Sequence, residues 1–164
     1  MIYRFRVILD SKEDVFRDLE VEGENSLEDL HRAIKRSFGI QPGEMGSFYL
    51  SDEDWSQGLE IPMLDMGMSK EPIKTMSEFN LIEIFTNHKY MLYVYDFLNM
   101  WTFFVEFTGV VDKDAAIKYP IVTFKIGENP KEPPAKEFDP LDAPKDIFGD
   151  AFGDSEEDDE FGEF

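Results

Sequence analysis

Cysteine is absent from the 164 residues. That excludes disulfides, thiolate nucleophiles and cysteine-based zinc or iron–sulfur sites. Histidine is scarce, with only His31 and His88, so no metal centre and no cofactor are expected. Basic residues number 16 against 36 acidic ones, a net charge of −20. A field of that sign repels nucleic-acid phosphates and anionic lipid surfaces and favours cationic partners. Long apolar runs are missing too. Nothing approaches the ~20 apolar residues of a membrane helix. The opening MIYRFRVILD alternates apolar and basic residues, and has no signal-peptide core of about 7–15 apolar residues. The expectation is a cytoplasmic protein without membrane association or direct nucleic-acid binding.

What is present reads as a single α+β domain. In residues 2–10, Tyr3, Phe5, Val7 and Leu9 alternate with Arg4 and Arg6, the period of a strand with one buried side. VFRDLEV is the return strand, with Leu19 and Val21 inward; Phe16 is out of phase, which predicts a bulge near Arg17. A helix follows in NSLEDLHRAIKRSFG. Ser26 caps it with Asp29 three residues on, Leu27, Leu30, Ile34 and Phe38 form one apolar stripe, and Gly39 stops it. GSFYLSD and LEIPML are a further strand pair around DEDWSQG, MSEFNLIEIF is a short helix, and KYMLYVYDF, WTFFVEFTGVV and YPIVTFKIG are the last strands. The predicted architecture is a β-grasp-like mixed sheet of about six to seven strands, with one main helix packed across it.

Beyond this domain the composition changes. Five of the nine prolines fall between Pro130 and Pro144, the mark of an extended linker. From Phe138 onward there are 11 acids and one base. The division is a domain over 1–129, a Pro-rich linker over 130–145 and an acidic tail over 146–164. Low hydrophobicity with high like charge predicts disorder in the tail. Its spaced Phe148, Phe152, Phe161 and Phe164 are candidates for docking on a partner that is basic or carries an apolar groove.

Motifs of chemistry are few. There is no phosphate-binding glycine loop, nucleophile elbow or dinucleotide fingerprint. DEDWSQG offers calcium-like oxygens but has Gln57 and Met63 where the loop pattern needs Gly and Glu, so it reads as an acidic surface turn. Met63, Met66 and Met68 read as packing filler. His31 lies beside the helix stripe, and a half-buried ring bonded to backbone or carboxylate is expected; His88 is expected at the surface. Arg4, Arg6, Lys35 and Arg36 read as solvent-face charges. In YVYDFLNMW, Asp96 ends a strand, Asn99 suits a left-handed turn residue, and the aromatics read as core ladders. An aromatic-walled Asp96 with Tyr93, Tyr95, Trp101 and His31 is the one candidate ligand or catalytic site.

LEDLHRAIKRSFG and YVYDFLNMW, with VFRDLEV, KYP and KEPP in order around them, resemble the plasmid pRiA4b ORF-3-like family, also described as an insertion-element passenger protein family. The resemblance covers roughly residues 1–137. It implies the α+β fold and brings no activity with it. Family members usually carry Gly-Asp where this chain has Leu98 and Asn99, histidines where it has GEMGSF, and a His where it has Phe103 and Phe104. The resemblance therefore implies that a family site built on those residues is not intact here.

Three functions are compatible with these readings. The foremost is a non-catalytic protein-interaction or adaptor module. The alternative is a small-ligand-binding protein or enzyme with its site near Asp96 and Trp101. The last is an acidic mimic of nucleic acid.

Overall fold

The computed structural model describes residues 1–40 and 43–134. Its elements run β1 (Ile2–Leu9), β2 (Phe16–Glu22), α1 (Leu27–Phe38), β3 (Gly46–Ser51), β4 (Glu60–Pro62), a single 3₁₀ turn (Met76–Glu78), α2 (Leu81–Phe85), β5 (Tyr90–Tyr95), β6 (Trp101–Val111) and β7 (Ile121–Ile126). Seven strands form one sheet in the order β4-β3-β5-β6-β1-β2-β7. The fold is α+β with one main helix. Every pairing is antiparallel, so the sheet is not the mixed one a β-grasp would have. The reason lies in β1, which takes β6 and β2 as its two neighbours, both antiparallel. The distal linker and the tail, with Phe148, Phe152, Phe161 and Phe164, lie outside the described residues.

Helix α1 forms for local reasons. Ser26 Oγ accepts from the Asp29 amide at 3.1 Å, and the Asp29 carboxylate accepts from the Ser26 amide at 2.9 Å. This reciprocal cap satisfies amides the helix cannot. At the other end Gly39 takes φ +65°, and its amide donates to the Arg36 carbonyl. Only glycine enters that region without steric cost. The stripe Leu27, Leu30, Ile34 and Phe38 is buried against the sheet.

The sheet face beneath α1 is lined by Tyr3, Phe5, Val7 and Leu9 of β1, Leu19 and Val21 of β2, Tyr93 and Tyr95 of β5, and Phe103 and Val105 of β6. Each buried apolar side chain of this size contributes about 1.5–3 kcal/mol. Ring contacts tie the strands together, Phe48 to Tyr93 at 4.8 Å and Tyr93 to Phe103 at 5.8 Å, and tie α1 to the sheet, Phe38 to Phe103 at 4.8 Å.

Several local expectations are corrected. The β1–β2 register runs unbroken from Ile8↔Phe16 to Ile2↔Glu22. No bulge at Arg17 interrupts it; the shift lies between Asp18 and Leu19, in the pairing with β7. Phe16 sits on the outer face, beneath the Arg6 guanidinium and beside Phe124. Arg17 therefore takes the inward position. The outer face is not purely polar either: Leu92 and Val94 are buried there with Tyr49, covered by Trp55, Met100 and Phe104. Met66 and Met68 are exposed at 69% and 89%, so they fill no core. His88 is half-buried rather than exposed. Asp52 Oδ1 accepts the amides of Asp54 and Ser56, which makes DEDWSQG a self-bonded turn. Among the described residues no group of acidic or histidine side chains could hold a metal ion.

Candidate functional site

Strand alternation points Tyr93 and Tyr95 toward α1, and the helix presents His31 to them. His31 Nδ1 and the Tyr93 hydroxyl share a hydrogen bond of 2.5 Å. The ring is 3% exposed, more buried than its sequence position implies, and its partner is a phenol rather than backbone or carboxylate. Burial, then the charges of Lys35 and Arg32, lower the imidazole to a pKa of about 4. Burial, then Tyr95, holds the Tyr93 phenol well above its ordinary value. Both groups are neutral near pH 7, and the lowered pKa leaves the enclosed imidazole a weak base.

Tyr95 extends the aromatic wall outward. Its ring lies 6.5 Å from His31 and carries the Lys35 ammonium 4.8 Å above its centroid. Its hydroxyl accepts from the Glu44 amide at 3.0 Å.

Asp96 follows Tyr95 and turns the chain. Its φ is +61°, and Met100 closes the turn at +55°; these two, not Asn99, are the left-handed residues. The Asp96 carboxylate accepts from the amides of Leu98 at 3.2 Å and Asn99 at 3.4 Å, and from Asn99 Nδ2 at 2.5 Å. Its oxygens are engaged in shaping the turn.

These residues split between two places. His31 and Tyr93 are enclosed behind Tyr95. Tyr95, Asp96 and Trp101 open on a cleft of about 790 Å³ at the C-terminal end of α1. That volume lies in the range of roughly 300–1,000 Å³ typical of small-molecule sites.

The remaining walls come from residues the sequence reading did not select: Arg17, Arg36, Lys125 and Lys131. Arg17 is 2% exposed. Its Nε donates to the Ser37 carbonyl, and Nη1 to the carbonyls of Phe16 and Ile126, each at 2.9 Å. The guanidinium carbon stacks 4.6 Å from the Phe38 centroid. Arg17 thus caps the helix end, where carbonyls lack intrahelical partners. Burial pushes its pKa below the ordinary guanidinium value, partly opposed by Glu128. One signal did exist in the sequence: the phase set by Leu19 and Val21 places Arg17 inward.

Two kinds of comparison with known proteins bear on this chain. The family model for the plasmid pRiA4b ORF-3-like protein matches residues 1–134, close to the span of the resemblance. The crystal structure of a protein of unknown function from Methanosarcina mazei Go1 superposes with a TM-score of 0.64 at 21% identity. The match covers 76% of this chain and 68% of that one, and it speaks to fold alone. No curated protein matches the chain in sequence. With four-fifths of its length inside the family model, the chain belongs to the plasmid pRiA4b ORF-3-like family.

Proposed function

We propose that this protein is a non-catalytic small-ligand-binding domain, with its site in the cleft where α1 ends. The observation that carries the reading is the meeting of Tyr95, Asp96 and Trp101 with Arg17 and Arg36 around one cavity of ligand size. Concave sites with an aromatic wall and a few convergent polar groups are where small molecules bind. Catalysis has less support. The Asp96 oxygens are engaged in the turn, and the His31–Tyr93 pair is enclosed, with a weakly basic imidazole. A screen of small molecules of each charge class against the full-length protein, read by amide chemical shifts, tests the reading. Perturbations centred on Ser37, Gly39, Tyr95 and Trp101 are expected. Binders that cluster elsewhere, or none from any class, would refute it.

The interaction module is the second reading, and one observation favours it. Strand β7 ends the sheet, and among the described residues its outer edge pairs with no strand. Val122, Phe124 and Ile126 are exposed at 45%, 49% and 37%. An extended segment of a basic partner protein would add there as an eighth strand. Replacement of Phe124 by Asp would weaken such a partner and leave the cleft unaffected.

A further inference from the structure

The cleft is a basic island on an acidic protein. Four of the chain's 16 bases line it, and each acidic neighbour has a separate account. The Asp96 carboxylate is held by three donors of its own turn. Glu128 pairs with Lys125 only at 3.7 Å and is 89% exposed, a geometry of little electrostatic consequence. Glu44 is exposed at the rim.

Two features of the basic groups are unexplained by folding. Arg17 and Lys125 are direct register partners on adjacent strands, so two like charges stand side by side, an unfavourable arrangement. Arg17 is also a buried cation whose bonds all go to neutral carbonyls. Helix capping accounts for its Nε, and the strand carbonyls of Phe16 and Ile126 account for Nη1. Among the described residues Nη2 has no hydrogen-bond partner and Arg36, which lines the same cleft, is in no ion pair. A buried charge is costly; the mostly exposed Glu128 offsets only part of that cost for Arg17, and an anion in the cleft would add a counter-charge to Arg17 and Lys125 together.

We propose that the ligand is a small organic anion, its carboxylate or phosphate set against Arg17 Nη2, Arg36 and Lys125, with its apolar part against Trp101. Charge-assisted bonds of this kind are the strong ones. The assignment rests on the ligand-binding reading above and narrows it to one charge class.

The test is calorimetric titration of the full-length protein with four ring compounds: phenyl phosphate, benzoate, neutral benzyl alcohol and cationic benzylamine. Both anions are expected to bind, more weakly at high salt, and the other two to bind at least tenfold more weakly. Arg36→Glu and Lys125→Glu, both at exposed positions, are each expected to weaken the anions by about tenfold or more. The same titration separates carboxylate from phosphate preference. If the neutral or cationic compound binds as well as the anions, or if both charge reversals leave anion affinity unchanged, the anion assignment fails while the ligand site stands. If none of the four binds, both fail.

Discussion

His31 and Tyr93 are hydrogen-bonded across the helix–sheet interface at 2.5 Å, 62 residues apart in sequence. The bond fixes the rotation of α1 over β5, because the imidazole can reach that hydroxyl from only one helix face. The imidazole is held neutral, with its pKa lowered from 6.5 to about 4. Between these values the unfolded chain binds the proton and the folded chain does not. Stability from this group is therefore complete above pH 6.5 and falls as pH drops toward about 4. The loss is on the order of 3 kcal/mol over that window. In urea melts at pH 7 and pH 5, His31→Gln should show a smaller drop than wild type. Equal drops would mean that His31 does not titrate as described.

Asp96 is the corner of the β5–β6 hairpin, and its replacements should separate backbone from side chain. Asp96→Ala loses three hydrogen bonds and puts alanine at φ +61°; a loss of roughly 2–3 kcal/mol is expected. Asp96→Gly relieves the backbone but not the bonds, so it should fall between Ala and wild type. Asp96→Asn keeps most of both and should cost about 1 kcal/mol. Thermal or urea midpoints that ignore all three changes would show that Asp96 does not shape the turn.

Arg17 should behave as a core residue despite its charge. Arg17→Met leaves the Ser37, Phe16 and Ile126 carbonyls without this donor, and a loss of roughly 2–4 kcal/mol is expected. Arg17→Lys keeps the charge, but a single ammonium cannot span the three acceptors, so it should recover only part. Urea midpoints within those of ordinary surface substitutions, about 0.5 kcal/mol, would contradict the packing described.

Local pattern made much of this fold legible. The Ser26–Asp29 cap, the Leu27–Phe38 stripe and the Gly39 stop are all short-range signals, and each element they predict is present. Alternation along β5 likewise places Tyr93 and Tyr95 on the face opposite Leu92 and Val94. It could not show that Leu92 and Val94 are buried as well, because their cover, Trp55, comes from a loop some 40 residues earlier. The phase of Leu19 and Val21 puts Arg17 inward, but the carbonyl acceptors from α1 and β7 that hold an arginine there are supplied only by folding. The cleft has the same origin. Arg17, Arg36, Asp96 and Lys125 share no spacing motif, and the topology alone brings them together. By contrast, the aromatic cluster around Asp96 was visible in sequence, but half of it, His31 and Tyr93, proved to be enclosed.

The chain's two tryptophans offer the most direct test of the ligand site. Trp101 lines the cleft at the helix side of the sheet, and Trp55 packs on the opposite face against Tyr90 and Phe104. Their indole N–H signals in a two-dimensional nitrogen–proton spectrum are therefore a probe and its internal control. On titrating the full-length protein with phenyl phosphate, the account predicts a saturable shift of the Trp101 indole while Trp55 stays in place. A shift of Trp55 alone, or no saturable shift of Trp101, would contradict it.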